Sequence, residues 1–166
     1  MGRIKLSLMC IMVSLLVGGS IPNLVVYVPN VSSRLDRHGI PVDYYSQRCP
    51  IPWGVDVSTW LTTYRWHRPY EEHVWDCSEM SAYTEFALEN CGYQTDIVLV
   101  SFDRAGHAFI RVEIDGVWRT YEATIRKWFP MHGMIHPRLA FRSIYQLRHF
   151  YFDNGDFFKE WAWYLR

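Results

Sequence analysis

The sequence has no excess of either charge: 17 lysines and arginines face 17 aspartates and glutamates over 166 residues. A balanced chain offers no global field to a nucleic-acid backbone or a strongly charged substrate, so no nucleic-acid partner is expected. The arginines of RLAFRSIYQLRHF read equally well as a solvated helix face. Internal repeats and low-complexity tracts are also missing, which sets aside repeat and fibrous architectures. Cysteine is scarce, at four residues, so each one has to be considered separately. Aromatic residues, in contrast, make up 17% of the chain, enough to fill a core at this length. The length suits one compact domain with an appendage.

That appendage is N-terminal. MGRIKLSLMCIMVSLLVGG places Arg3 and Lys5 ahead of an uncharged apolar run, and the small residues Gly18, Gly19 and Ser20 follow. This is the pattern of a secretory signal peptide. A second apolar stretch, LVVYV, extends the uncharged segment to residue 28, long enough to span a bilayer despite Pro22 and Asn23. Residues 1–28 are therefore read as a signal peptide or an N-terminal membrane anchor, with residues 4–28 the segment that would anchor. On either reading the body of the protein is exported, extracellular or membrane-anchored facing outside. Residues 29–60 hold turn-formers without a sustained period and read as a linker or wrapping segment. Residues 61–166 form the expected domain.

Cys10 lies within the apolar segment, as a small hydrophobe. Cys77 and Cys91 would stand about 21 Å apart along one helix at ~1.5 Å per residue, and disulfide Cα atoms lie within about 7 Å of each other. Those two cannot bridge. Cys49 and Cys91 could pair in an oxidising compartment, which would leave Cys77 as the free thiol.

The spacing predicts a helix over 77–91. Asp76 is a good N-cap and Glu79 follows three residues later, a D-x-x-E form of the capping box. Met80, Tyr83, Ala87 and Cys91 recur at helical spacing, so the helix reads as amphipathic, and Gly92 is placed to stop it. A short helix in VSTWLTTYRW is opened by Ser58 or Asp56, and HRPYEEHV reads as a loop leading into the helix at 77. DIVLVSF, 96–102, reads as a strand. Towards the C-terminus, FRSIYQLRHFY reads as a short helix and DFFKEWAWYLR as a closing helix or strand, both packing elements.

GHAFIRVEIDGVWRTYEAT, 106–124, contains a two-residue hairpin turn, Asp115-Gly116, between two strand-like runs. The turn fixes a register in which Ile114 faces Val117 and Phe109 faces Glu122. His107, two residues before Phe109, then becomes a diagonal neighbour of Glu122, ~7–8 Å away at the backbone and within side-chain reach. A one-residue slip would separate them. Ala108, Ile110, Val112 and Ile114 form the other, core-facing side. Asp115 is a rival acid, but it lies at the far end of the hairpin from His107.

WDCSEMSAYTEFALENCGY followed by GHAFIRVEIDGVWRTYEAT resembles the core of the transglutaminase-like superfamily, of papain-like fold, and is similar to small exported members found in archaea. The match covers roughly residues 74–124, with the cysteine, histidine and acid blocks in the family's order. The resemblance implies an α+β fold in which a helix carrying the nucleophile packs on an antiparallel sheet. It also implies a catalytic triad of Cys77, His107 and Glu122. Two features differ from the family's pattern: the third residue is Glu where Asp is most common, and the residues around the cysteine are not those of animal cross-linking transglutaminases.

The chemistry of these residue types agrees. The partial positive charge of a helix N-terminus favours a thiolate. Asp76 works against it unless turned to cap the helix. His107 would hold the thiolate as an ion pair and later protonate a leaving amine, and Glu122 would orient the imidazole. The Cys77 N–H would supply one oxyanion donor, with Trp60, Trp66 and Trp75 as candidates for a second. Taken singly, each triad residue has an ordinary structural reading; the catalytic reading rests on their joint occurrence.

The expected function is an exported thiol enzyme acting on amide bonds, as a peptidase or amidase or by acyl transfer, through a thioester. Its partner would be a peptide, protein or cell-envelope amide substrate. The alternatives are a non-catalytic transglutaminase-like binding module of the cell envelope and a structural envelope protein in which Cys77 is bridged. HGMIH sets His132 and His136 at a zinc-ligand spacing, but Gly133 and Pro137 make the segment a loop without an obvious third ligand. No metal or cofactor is expected.

Overall fold

The computed structural model describes residues 31–102, 105–130, 137–151 and 159–165. The N-terminal apolar segment and the His132/His136 pair lie outside the described residues. Helix α1, Val57–Thr63, opens on Asp56, whose carboxylate accepts the Thr59 N–H at 2.9 Å. Of the two candidate openers, Asp56 is therefore the cap and Ser58 is inside the helix.

Helix α2 spans Cys77–Glu89, ending two residues before the expected Cys91. Asn90 closes it, and Gly92 takes the left-handed conformation (φ 85°) that lets the Tyr93 N–H return to the Leu88 carbonyl at 3.0 Å. The expectation of an amphipathic helix needs correction, because every residue from Ser78 to Leu88 is buried. Both sides of α2 are covered, so its serines, threonine and glutamates face protein rather than water.

One cover is a five-stranded antiparallel sheet. Its strands are β1 (Thr95–Phe102), β2 (Ala105–Ile114), β3 (Val117–Glu122), β4 (Lys127–Phe129) and β5 (Pro137–Phe141), in the spatial order β4-β3-β2-β1-β5. The class is α+β. In the β2–β3 hairpin Ile114 pairs with Val117 and Ile110 with Tyr121, the register the turn predicts. Asp115 and Gly116 both have positive φ, 54° and 74°, as a turn that follows the strands' right-handed twist requires. Ala108, Ile110, Val112 and Ile114 join Met80, Tyr83 and Phe86 of α2 in the main core. Phe109 belongs instead to a small second cluster with Val98 and Val100, against which Phe129 packs.

The other cover comes from chain ends. Residues 31–56 contain no helix or extended strand, yet Ile40 and Tyr44 are buried in the same core as α2. Asn90 holds this wrap in place: its side-chain oxygen accepts the Gln47 N–H at 2.7 Å and its amide donates to the Tyr44 carbonyl at 2.9 Å. A Cys49–Cys91 disulfide adds a covalent tie between the wrap and the end of α2. Helix α3, Ile144–Phe150, is capped by Ser143. The closing segment forms two short 3-10 turns, Lys159–Trp161 and Trp163–Leu165. Trp163 packs edge-on against Tyr83 and tilted against Phe86, with ring centroids 5.1 and 4.7 Å apart.

Glu85 joins these layers. Its fully buried carboxyl accepts hydrogen bonds from the Tyr45 hydroxyl, from the Tyr44 hydroxyl at 3.4 Å and from the Ile144 N–H at 3.3 Å. Burial, aided by the charge of Glu89, pushes this carboxyl up to about 8, while the tyrosine and amide donors oppose the rise. The folded chain therefore keeps a proton that an unfolded chain releases near 4.5. Folding stability should fall as pH rises from about 4.5 to about 8, because the folded state binds more protons across that window. Urea unfolding across this range should lose the corresponding share of its slope in Glu85→Gln; equal slopes in the two proteins would contradict the assignment.

Candidate active site

His107 is the third residue of β2 and Glu122 the last residue of β3, so the antiparallel pairing brings both to one end of the sheet. Their side chains meet directly: His107 Nε2 lies 2.5 Å from Glu122 Oε2. The second carboxylate oxygen of Glu122 accepts the Thr124 hydroxyl at 2.7 Å and the Thr124 N–H at 3.1 Å. The carboxylate is thus fixed from both sides, at 12% side-chain exposure against 32% for the imidazole. Thr124 was not singled out from the sequence. The E-x-T spacing just past a strand end is the signal that could have found it, since threonine there can turn back on the strand's last side chain.

Cys77 is the first residue of α2, partly exposed, and free of any disulfide. Interaction with its thiol is the first of the influences that raise the His107 imidazole to about 10; the bond to Glu122 comes next, with burial opposing. Glu122 occupies Nε2 of the ring. Burial pushes the Glu122 carboxyl up, but the bond and charge of His107 and the Thr124 donors outweigh it and hold the group below its ordinary value. The structure therefore brings all three residues together, with the imidazole between a thiol and a carboxylate.

Asp76, which the sequence left facing either way, is turned onto the helix. One of its oxygens accepts the Ser78 N–H at 2.8 Å and the other accepts the His73 N–H at 2.9 Å. Glu79 completes the capping box by accepting the Asp76 N–H at 3.1 Å. Backbone donors thus absorb much of the negative charge beside Cys77. Asp115, the rival acid, stays in the hairpin turn.

The three tryptophans considered as oxyanion donors fare differently. Trp66 spends its indole N–H on the Ala123 carbonyl at 3.0 Å. Trp60 is in the core against Tyr64, their ring centroids 4.7 Å apart. Trp75 is 1% exposed, with a sealed indole nitrogen. Arg111, near the sheet's opposite end, is engaged with Asp96 and lies over Trp118 at 5.1 Å.

Among the described residues no group of three or more His, Cys, Asp or Glu could hold a metal ion, and no helix is long and apolar enough to cross a membrane. Comparison with protein-family models, curated proteins and solved structures gives no match to this chain.

The raised imidazole carries a sign for stability. The His107 contribution is fully present below its ordinary value near 6.5 and is lost as pH rises through about 10. A proton-detected titration of the His107 ring should find it charged at neutral pH, and Glu122→Gln should move the midpoint down. An ordinary midpoint in both proteins would contradict the pairing.

Proposed function

We propose that the chain is a thiol enzyme acting on amide bonds through Cys77, His107 and Glu122, on a core of transglutaminase-like, papain-like type. The observation that carries this reading is the direct His107–Glu122 bond with the free Cys77 thiol acting on the same imidazole, drawn from three separate elements. A histidine serving only structure has no need of a free thiol at a helix mouth as its second partner.

The steps follow from the positions. Helix-end amides and the neighbouring imidazolium favour the Cys77 thiolate. The thiolate attacks the amide carbonyl carbon; a C–S bond forms and the carbonyl electron pair moves onto oxygen. The Cys77 N–H, one of the first-turn amides without an intrahelical acceptor, would donate to that oxyanion. As the tetrahedral species collapses the C–N bond breaks, and His107 passes its proton to the leaving amine. Water, or a second amine, then attacks the thioester with His107 as base. Glu122 keeps the ring oriented throughout, and Thr124 keeps Glu122 in place.

An extracellular setting agrees with the Cys49–Cys91 disulfide, since such bridges persist in oxidising compartments. A peptide, protein or cell-envelope amide is the substrate class proposed.

Iodoacetamide alkylation of Cys77 followed against pH tests the reading. The wild-type chain should react rapidly at neutral pH, and His107→Ala should slow that reaction by about 10-fold or more, because the neutral thiol is a poor nucleophile. A thiol equally sluggish in both proteins would favour a non-catalytic binding module.

A further inference from the structure

Trp66 lies in the segment between α1 and α2 and donates its indole N–H to the Ala123 carbonyl at 3.0 Å. That carbonyl and the Thr124 N–H belong to one planar peptide group, so fixing one end fixes the other. The N–H end donates to Glu122 Oε1 at 3.1 Å, and the other oxygen of that carboxylate meets His107 Nε2 at 2.5 Å. Indole, peptide, carboxylate and imidazole thus form one chain of hydrogen bonds. In such a chain each bond polarises the next: a carbonyl that accepts makes its own N–H a better donor.

The ring of Trp66 is fixed by further contacts. It packs edge-on against Tyr64, Trp75 and Tyr83, with centroids 4.8, 5.6 and 5.7 Å apart. Tyr64 closes α1, Trp75 lies two residues before Cys77, and Tyr83 lies within α2. The same side chain therefore touches the segment leading to the thiol and the strand end that carries the acid. Arg126, in the turn after Glu122, ties that strand end to the same segment by donating to the Tyr64 carbonyl at 2.6 Å.

Resting on the thiol reading above, we infer that Trp66 is a positioning residue for the candidate triad: through the 123–124 peptide its N–H holds the Glu122 carboxylate against His107. Without this donor the peptide is free to turn, and the Thr124 N–H turns with it. The Thr124 hydroxyl, 2.7 Å from Glu122 Oε1, would then hold that oxygen through a rotatable side chain.

Trp66→Phe keeps a ring among Tyr64, Trp75 and Tyr83 and removes the N–H. In the full chain it should lower the His107 titration midpoint and slow iodoacetamide alkylation of Cys77 at neutral pH by about fivefold, the net worth of one hydrogen bond. The same substitution in a Glu122→Ala background, where the peptide has no carboxylate to hold, should change neither reading further. Replacing Trp66 by 3-benzothienylalanine, with sulfur in place of the indole N–H, keeps both rings and should give the same pattern if the phenylalanine variant is unstable.

A wild-type midpoint and rate without the N–H would overturn the inference. An equal fall with and without Glu122 would also overturn it, since Trp66 would then act on the fold or the thiol and not through the acid. A wild-type thiol sluggish at neutral pH would overturn the thiol reading, and this inference with it.

Discussion

The bond between His107 Nε2 and Glu122 Oε2 is the contact on which the candidate site depends, and that bond depends on a two-residue turn. Asp115 and Gly116 both adopt positive φ, and the register they impose runs unbroken from Ile114–Val117 to Ile110–Tyr121. A shift by one residue would send His107 and Glu122 to opposite faces and place Gly106 or Ala108 in the imidazole's position. The chemistry is thus set about seven residues from the turn, by strand geometry, and Thr124 only refines it. Tyr121, next to Glu122, adds a tertiary lock: its hydroxyl donates to the Leu61 carbonyl at 2.6 Å and ties β3 to α1.

Against this fixed pair the thiol arrives on a helix with little freedom to move. Helix α2 is enclosed by the sheet on one side and by the wrap and the closing 3-10 turns on the other. Asn90, the Cys49–Cys91 disulfide and the buried Glu85 with its partners Tyr44 and Tyr45 hold its far half. At its mouth Asp76 gives its two oxygens to backbone N–H groups, so an acid directly before the thiol serves as a cap. A carboxylate left pointing outward there would oppose a thiolate; capped, it completes the helix end that favours one.

Local signals made the centre of this arrangement legible in the sequence. A D-x-x-E box marks where α2 starts, and Asp-Gly marks the hairpin and its register; both act over a few residues. Local rules of this kind bring the histidine and glutamate together and set the cysteine at a helix start; that the three form one site is what the resemblance implies. What was illegible is held by distant partners. The wrap has no periodicity because single residues, Ile40 and Tyr44, anchor it, and its hydrogen bonds go to Asn90, more than 40 positions away. The full enclosure of α2 was hidden because Glu85 reads as a solvated residue until two tyrosines from the wrap are placed over it. Strand β4 has only three residues, and β5 pairs with β1 across a long excursion of chain, so neither leaves a clear pattern.

The most direct test of the central claim is the ultraviolet absorption of the Cys77 thiolate, measured against pH as the difference between wild type and Cys77→Ser, and repeated with His107→Ala. A thiolate–imidazolium pair predicts an absorption already present in mildly acidic solution that disappears there when His107 is removed. An absorption that grows in only under alkaline conditions, with or without His107, would contradict the pair and the enzymatic reading built on it.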